Sequence, residues 1–477
     1  MSRRRIAVVG AGVAGLTTAY LLQRDAEVTL YEADERLGGH AHSHDLTDAR
    51  GRPLTVDTGF LVHNQVTYPN LLRLFAELGV RTQPSEMSMS VCCGGCGLEY
   101  AGGRGPSGIL PTLRTATRAR YLAMLAEVPR FHRQARALLA AEPAADDDLE
   151  TLGAFLDRGR FSRYFRSHFV TPLVSAVWSC GPHLVDEYPA RYLFGFLANH
   201  GMLTVTGSPQ WRTVTGGSAR YVERAAKNLT AVHTSTPVRQ IRRVTQGVEV
   251  TDDGGRVTAY DAVVVATHPD QALALLAEPT DAERDVLGAF EYSANPTVLH
   301  GDTSVLPTAP RAQASWNYLL PACDPGATPV RVSYDLNRLQ RLVTEDRFLV
   351  TLNDDGSVPD QEVIARMSYA HPVFTPASVA AQRRLPELND GVLAFAGAYH
   401  GWGFHEDGCR AGVRAAESLG CVSWPGAVAS GVSGRSGKAA TRRRAGGPSS
   451  GANAARSSPK RRAAGAGPGD TPLGVTW

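Results

Sequence analysis

In residues 5–15, RIAVVGAGVAG, a short β-branched run leads directly into Gly10, Gly12 and Gly15. An apolar run of this kind is typical of a buried parallel strand. The next residues, LTTAYLLQRD, have helical periodicity, and a second β-branched run, EVTLYE, ends at Glu32. Strand, glycine turn, helix, strand and acid in this order predict a dinucleotide-binding βαβ unit.

Each residue of this motif has a predicted role. Gly10 makes the tight turn, Gly12 lets the backbone approach a pyrophosphate, and Gly15 lets the helix pack closely on the strand. Ala14 lies in the first helical turn, where free N–H groups and the positive helix end receive phosphate. Glu32 would accept both hydroxyls of an adenosine ribose and repel a 2′-phosphate, so a non-phosphorylated dinucleotide is favoured.

The next stretch, YEADERLGGHAHSHD at residues 31–45, allows two interpretations. His40, His42 and His44 stand at i, i+2 and i+4, which would place three imidazoles on one face of a strand as a metal-ligand set. The same stretch contains the glutamate and the pair Gly38-Gly39, which continue a nucleotide motif. We favour the second interpretation and expect no metal.

The sequence of that stretch resembles a known family. Glu32-x-x-x-Arg36-x-Gly38-Gly39 resembles the signature of the flavin amine oxidase and phytoene desaturase superfamily. The resemblance implies FAD as the cofactor, with Arg36 near the pyrophosphate or ribose. His40 stands where that superfamily commonly has a second arginine. The implied fold is α/β: a Rossmann-like FAD-binding domain with an interleaved α+β substrate domain.

Two further segments resemble the superfamily in chain order. VDTGFLV at 56–62 resembles the segment under the isoalloxazine, which implies Thr58, Gly59 and Phe60 near the flavin ring. HTSTPVRQI at 233–241 resembles the strand whose backbone, here at Val238, meets the adenine.

The closing segment, GVLAFAGAYHGWGFHEDG at 391–408, resembles the last flavin motif. There Gly397 would face phosphate, and Phe404 and His405 would begin a helix whose positive end favours reduced flavin. His405 is the candidate catalytic residue, for proton handling or for a structural hydrogen bond. Glu406 and Asp407 fit the roles of helix caps and dipole-matching acids.

The superfamily divides both domains along the chain. The resemblance therefore implies an FAD-binding domain at 1–66, 215–270 and 390–424, and a substrate domain at 67–214 and 271–389. Residues 425–477 form a tail with nine Lys or Arg and one acid, and its composition predicts disorder. The segments GGHAHS and GFHEDG resemble those of a bacterial subgroup of amine-oxidase-like oxidoreductases, which are in turn similar to the N-terminal domain of plant cyclopropane fatty acid synthases.

Lysines are nearly absent from the chain. Lys227, Lys438 and Lys460 are the three present, so residues 228–437 offer none for the position beside flavin N5 that amine oxidases fill. The apolar stretch FVTPLVSAVWSC suits an apolar channel, although part of it must be core. We therefore expect hydride removal from a fatty-acyl or isoprenoid-type substrate. An amine oxidase, a redox-neutral isomerase and a lipid-binding partner of a methyltransferase remain as alternatives.

Composition limits partners and compartment. The 477 residues are 43% hydrophobic and 20% charged, as in a globular enzyme, and outside the basic tail the chain is mildly acidic, which gives no reason to expect nucleic acid. The tail's charge would suit peripheral contact with anionic lipid, although a solvated extension is the simpler interpretation. With no 18-residue apolar run we expect no spanning helix and a cytoplasmic protein.

Seven cysteines without a regular framework are typical of a reducing compartment. Cys93 and Cys96 form a C-x-x-C in VCCGGCGLEY at 91–100. Because no second C-x-x-C completes a four-ligand set, we interpret the segment as a hairpin turn rather than a metal or redox site.

Overall fold

The computed structural model describes residues 3–142, 150–204, 208–324, 326, 331–421 and 424. The predicted tail at 425–477 lies outside these residues. Within them, no helix combines the length and the apolar character that crossing a bilayer would require.

A five-stranded parallel sheet holds the predicted βαβ unit. Its strands, in spatial order, are β10 (Ala231–His233), β2 (Ala26–Tyr31), β1 (Arg4–Val9), β14 (Ala262–Val265) and β20 (Leu393–Phe395). Because both faces of β1 are covered, its apolar run is continuous rather than alternating. Ile6 and Val8 belong to one hydrophobic cluster, whereas Ala7 and Val9 belong to another on the opposite face.

A seven-stranded mixed sheet forms the second large layer. Its spatial order is β19 (Val363–Val373), β15 (Glu291–His300), β18 (Leu349–Leu352), β17 (Arg331–Asp335), β16 (Trp316–Leu320), β7 (Met89–Cys93) and β8 (Leu98–Gly102). The pair β16 and β7 is parallel and every other pair is antiparallel. The predicted hairpin is confirmed, since β7 and β8 flank residues 94–97.

Three small antiparallel sheets complete the strands. They are β3 (Ser43–Thr47) with β4 (Pro53–Asp57); β5 (His63–Asn64), β9 (Trp211–Val214) and β6 (Thr82–Pro84); and β11 (Val238–Val244), β12 (Gly247–Asp252) and β13 (Val257–Tyr260).

The helices surround both large sheets. They are α1 (Val13–Leu22), α2 (Pro69–Glu77), α3 (Gly105–Ile109), α4 (Leu113–Ala116), α5 (Ala119–Ala140), α6 (Leu152–Arg158), α7 (Arg163–Phe165), α8 (Thr171–Trp178), α9 (Pro182–Val185), α10 (Ala190–Asn199), α11 (Ala219–Ala226), α12 (Pro269–Leu275), α13 (Asp281–Leu287), α14 (Leu336–Leu339), α15 (Pro376–Gln382) and α16 (His405–Ser418). A π-helix spans Arg166–Val170, and 3₁₀ turns span Asp360–Glu362, Leu385–Leu388 and Ala398–His400.

The α/β fold expected from the sequence is therefore present, with a parallel nucleotide-type sheet and a separate mixed sheet. The strands of the parallel sheet fall within residues 1–66, 215–270 and 390–424. All seven strands of the mixed sheet fall within 67–214 and 271–389. We propose the same bounds for the two domains.

Candidate active site

One cavity of about 910 Å³ lies between the carboxyl ends of the parallel strands and the mixed sheet. That volume is in the range of a large ligand site. The predicted site residues that line it are Gly10, Gly12, Ala14, Glu32, Arg36, Gly39, His40, Thr58, Gly59, Phe60, Val238, Gly397, Phe404 and His405.

The two remaining predicted residues, Gly15 and Gly38, do not line the cavity but support its glycine loop. A Cβ atom on Gly15 would lie 1.9 Å from the Gly10 carbonyl oxygen, so only glycine lets α1 approach the turn this closely. Gly38 has φ +111°, and its N–H donates to the Ala11 carbonyl oxygen at 2.9 Å. A Cβ on Gly12, by contrast, would meet nothing within 4 Å.

Glu32 is fixed at the tip of β2 by two backbone donors. Its Oε2 accepts from the Ala11 N–H at 2.7 Å, and its Oε1 accepts from the Asp34 N–H at 3.0 Å. The carboxylate therefore ties the glycine loop to β2 and still has lone pairs for hydroxyl donors. This second, structural role was not predicted from the sequence.

His40, His42 and His44 do not present three rings to one point. The rings of His42 and His44 lie 4.2 Å apart and bond to Tyr369 and Thr58 respectively. The His40 ring instead packs against Tyr369 at 5.1 Å. The interpretation of this stretch as part of a cofactor cleft thus agrees with the geometry.

His40 also lies 5.3 Å from the ring of His371, and both line the cavity. Burial, reinforced by neighbouring His371, His268 and His405, holds the pKa of His40 well below its usual value, so the ring is neutral. Its Nε2 has no partner among the described residues. Sequence reasoning missed Tyr369 and His371, because nothing in strand β19 marks which face meets a ligand.

The segment 57–60 runs beside His40 with very little space. Phe60 N–H donates to the His40 carbonyl oxygen at 2.7 Å, and a Cβ on Gly59 would lie 2.2 Å from that same oxygen. Asp57, beneath the cavity, accepts from both the N–H and the hydroxyl of Ser218 at 2.8 Å. Burial raises the pKa of Asp57 to about 6 despite these donors.

His405 begins α16 and faces the cavity. Its ring stacks on Phe60 with centroids 3.7 Å apart and an angle of 11° between the planes. Its Nε2 is 3.1 Å from the hydroxyl of Tyr221, another residue that the sequence did not reveal. Burial, with a smaller effect of His63, lowers the pKa of His405 to about 3. The imidazole is therefore neutral near pH 7 and a weak proton acceptor.

The two acids after His405 cap helices, as expected. Asp407 Oδ2 accepts from the Phe404 N–H at 3.1 Å at the start of α16. Glu406 caps α2 instead: its carboxylate accepts from the Asn70 N–H at 3.2 Å and from the Leu71 N–H at 3.0 Å. Phe404 and His405 thus bring the positive end of a 14-residue helix to the cavity.

The part of the cavity away from the glycine loop is apolar. Its walls include Leu173, Ala176, Val177, Trp178, Phe196, Met202, Trp211, Trp316, Tyr334, Leu352, Trp402 and Phe404. Among the described lining residues, the charged side chains are Glu32, Asp34, Arg36 and Arg239, and all four lie near the end of β2 or the start of β11. Lys227, at the end of α11, does not line the cavity.

These features fit FAD. The glycine loop opens at Gly12 toward the free N–H groups of α1, and Glu32 stands at the tip of β2. Gly397 and the N-terminus of α16 line the same cavity. A long cleft with an anion-binding helix end and a ribose-binding acid is what an adenine dinucleotide requires.

Comparison with known proteins agrees with this assignment. Residues 13–299 match the family model described as flavin containing amine oxidoreductase. The carotenoid φ-ring synthase of Streptomyces griseus is 30% identical over 281 residues, which cover 55% of this chain and 52% of that protein. The match thus spans about half the length of that relative.

Solved structures of the same fold cover nearly the whole described chain. Putrescine oxidase, solved with putrescine bound, superposes with a TM-score of 0.64 at 16% identity, covering 87% of this chain and 98% of that chain. A fatty acid isomerase from P. acnes, described as CLA-producing, superposes with a TM-score of 0.60 at 16% identity, covering 86% and 97%. At these identities the likeness concerns the fold.

Proposed function

Since the chain belongs to the flavin-containing amine oxidoreductase family and is an FAD-dependent oxidoreductase, we propose that it removes hydride from an apolar substrate of fatty-acyl or isoprenoid type. The observation that carries this proposal is the apolar wall of the cavity, where the described residues place no charged side chain. A buried alkylammonium substrate would need a carboxylate beside it, and the two carboxylates among the described lining residues, Glu32 and Asp34, lie at the end of β2. A hydrocarbon chain needs only apolar surface.

The low lysine content supports the same choice. Residues 228–437 contain no lysine, so the arrangement that amine oxidases commonly place beside the flavin has no candidate in this chain. The name of the Streptomyces relative, a carotenoid synthase, also suggests an isoprenoid substrate. The resemblance to the oxidase-like domain of plant cyclopropane fatty acid synthases suggests an acyl chain.

When bound, FAD supplies the acceptor for one hydride, that is, for one proton and two electrons. The chain's own residues position the substrate and exclude water. Trp178, Phe196 and Trp402 would hold a hydrocarbon chain by contact alone and would strengthen electrostatic effects by excluding solvent. The N-terminus of α16 would stabilise negative charge that develops at the cavity.

His405 has a positioning role in this proposal. Its Nε2 is engaged by the Tyr221 hydroxyl and its ring is fixed on Phe60. Because its pKa is about 3, the ring would remain neutral while it holds Phe60 and the start of α16 in place. The proton lost together with the hydride would then go to a group other than His405, and His40, a neutral imidazole that lines the cavity and whose Nε2 has no partner among the described residues, could accept it.

The test is anaerobic reduction of the FAD-loaded protein. Photoreduction first establishes that the flavin is competent, and long-chain acyl compounds, isoprenoids and simple amines are then added separately. We expect the lipids to bleach the flavin absorption and the amines to leave it unchanged. Rapid bleaching by amines alone would favour an amine oxidase. Conversion of a lipid without net reduction would favour an isomerase.

A pair of variants tests the apolar wall. Val177 in α8 is half-buried and lines the cavity, so Val177→Glu would place a charge against the hydrocarbon chain. We expect at least about a tenfold loss of lipid-dependent reduction, since burying an unpaired charge costs more than 1.4 kcal/mol. Leu113→Glu, at an 87% exposed leucine in α4, is the matched control. FAD content should be unchanged in both proteins.

A further inference from the structure

Four side chains of the types that bind metal ions lie close together beside the mixed sheet, outside the cavity. Cys93 ends β7, Cys96 lies in the hairpin turn, His168 belongs to the π-helix, and Cys323 follows β16. Their ligand atoms all lie within 4.8 Å of one another. None of the four lines the cavity.

We propose that Cys93, Cys96, His168 and Cys323 form a structural zinc site. Cys93 Sγ and Cys323 Sγ are 3.8 Å apart, and Cys96 Sγ and His168 Nε2 are 3.6 Å apart. Tetrahedral zinc, with bonds of about 2.3 Å to sulfur and about 2.0–2.1 Å to nitrogen, separates its ligands by about 3.8 Å and about 3.5 Å. A closed set of three thiolates and one imidazole is a structural rather than a catalytic arrangement.

The backbone is shaped to bring the ligands together. A Cβ atom on Gly95 would lie 2.8 Å from the Cys323 backbone nitrogen, so glycine is needed for the two segments to approach. The Gly94 N–H donates to the Leu320 carbonyl oxygen at 2.8 Å, which holds the hairpin turn against the end of β16. Two glycines between the cysteines therefore serve the cluster as well as the turn.

Further contacts orient the imidazole. His168 Nδ1 lies 2.8 Å from the Ser167 hydroxyl and 3.2 Å from the Tyr164 carbonyl oxygen, so Nε2 is left to face the sulfur atoms. Such a bond on the far ring nitrogen is usual for metal-ligating histidines. The Tyr164 ring stacks on His168 at 3.9 Å, and its hydroxyl lies 3.7 Å from Cys96 Sγ.

The π-helix has a role here too. An extra residue in the turn shifts the side chains that follow it, and such bulges occur often at functional sites. His168 is the central residue of Arg166–Val170 and is fully buried. The bulge thus gives a physical reason for His168 to point at the hairpin turn.

The site would act as a cross-link. Cys96 and His168 are separated by 72 residues, and Cys93 and Cys323 by 230 residues. One zinc ion would join the hairpin, the π-helix and the segment after β16, and its binding free energy would contribute to folding. From the sequence we expected no metal, because a second C-x-x-C is missing; the fold supplies His168 and Cys323 in its place.

The test is metal analysis of the FAD-loaded full chain, purified without added chelator from cells grown with zinc. We expect about one zinc per chain, and loss of that zinc in Cys96→Ser and Cys323→Ser. Cys92→Ser is the matched control, because Cys92 lies on the other face of β7, with Sγ 3.7 Å from Glu99. The control should keep its zinc.

Wild-type protein provides a measurement that does not depend on whether variants fold. Cobalt exchanged into the site should give strong ligand-field absorption beyond the flavin bands, as tetrahedral thiolate coordination does, and a mercurial should release one metal per chain. Less than about 0.1 zinc per chain after growth with zinc, with no cobalt bands, would overturn the proposal. A Cys93–Cys323 disulfide found by mass spectrometry would overturn it as well.

Discussion

Glu32 shows how much one side chain contributes to the cofactor end of the cavity. The carboxylate accepts from Ala11 and Asp34 with separate oxygens, so its charge is shared between the glycine loop and the expected ribose hydroxyls. Such an acceptor is costly to remove even at this half-buried position, because the donors that it serves lose their partner. The glycine loop and the ribose site therefore depend on the same residue.

We predict that Glu32→Ala weakens FAD binding by about 1.5–3 kcal/mol, or about 10- to 150-fold in Kd, through the loss of charge-assisted hydrogen bonds. Titration of flavin-free protein with FAD, followed by flavin fluorescence, measures the effect. Glu27→Ala, at an exposed position of the same strand, is the control and should bind FAD normally. An unchanged Kd in Glu32→Ala would contradict the placement of the adenosine end.

The role of His405 can be tested at the same scale. With a pKa near 3 the ring cannot be a good base at neutral pH, so we predict that His405→Ala slows flavin reduction by less than about tenfold. The rate should also show no histidine-like change between pH 5 and 8. Tyr221→Phe, which removes the hydroxyl at Nε2, should have a similar small effect. A loss of about 10²–10⁴-fold with a changed pH profile would instead assign proton transfer to His405.

Among the elements, the glycine turn before α1 meets two requirements: close packing of the helix on the strand, and room for a pyrophosphate. A Cβ atom added to Gly15 would lie 1.9 Å from the Gly10 carbonyl oxygen, whereas a Cβ atom added to Gly12 would enter open space within the cavity. Gly15 is needed for the helix and the strand to pack. Gly12 leaves room that a pyrophosphate would occupy.

We therefore predict different failures for two alanine variants. Gly15→Ala should destabilise the whole protein by several kcal/mol, since a backbone atom rather than a flexible side chain stands in the way. Gly12→Ala should fold with a nearly unchanged melting temperature but lose most of its FAD affinity. Thermal unfolding of the flavin-free proteins, together with FAD titration, distinguishes the two. The same defect in both variants would be contrary to this division of roles.

The sequence predicted individual helices, strands and turns better than it predicted contacts between them. The βαβ unit and the hairpin at 94–97 are local, so their signals lie within a few residues of one another. The contact of Tyr221 with His405 spans 184 residues, and the contact of Tyr369 in β19 with His42 spans 327 residues. An alternating strand does not reveal what its faces will meet, so Tyr369 and His371 could not be assigned. Cys93 and Cys96 stand out in the sequence, but His168 and Cys323 lie 72 and 230 residues away from them in the chain.

For the whole molecule, buried histidines make the free energy of unfolding fall in acid. Burial lowers the pKa of His63, His132 and His200 to about 4, and each is at most 4% exposed. The unfolded chain binds protons at about pH 6.5, whereas these folded sites do not. Their stabilising contribution is therefore complete above pH 6.5 and is lost as the pH falls toward 4.

We predict that the urea midpoint is lower at pH 5.5 than at pH 7.5, because each such histidine lowers the free energy of unfolding by up to about 1.4 kcal/mol over this range. His132 is informative, because neither ring nitrogen has a partner among the described residues. His132→Leu should raise the midpoint, and more so at pH 5.5 than at pH 7.5. The exposed His183→Leu is the control and should leave the pH dependence as it is. A wild-type midpoint that is equal at both pH values would contradict this account.

The spatial order of the parallel sheet has a consequence for how the protein is made. β1 pairs with β14, and β14 pairs with β20, so the sheet that begins at Arg4 is closed only by residues 393–395. The ribosome releases the N-terminal strand long before either of these partners exists. Contacts between residues so far apart in sequence form slowly, and open strand edges are prone to aggregation meanwhile. Capture of FAD should therefore follow translation, and yield in a host cell should depend more on chaperone supply than on the supply of flavin.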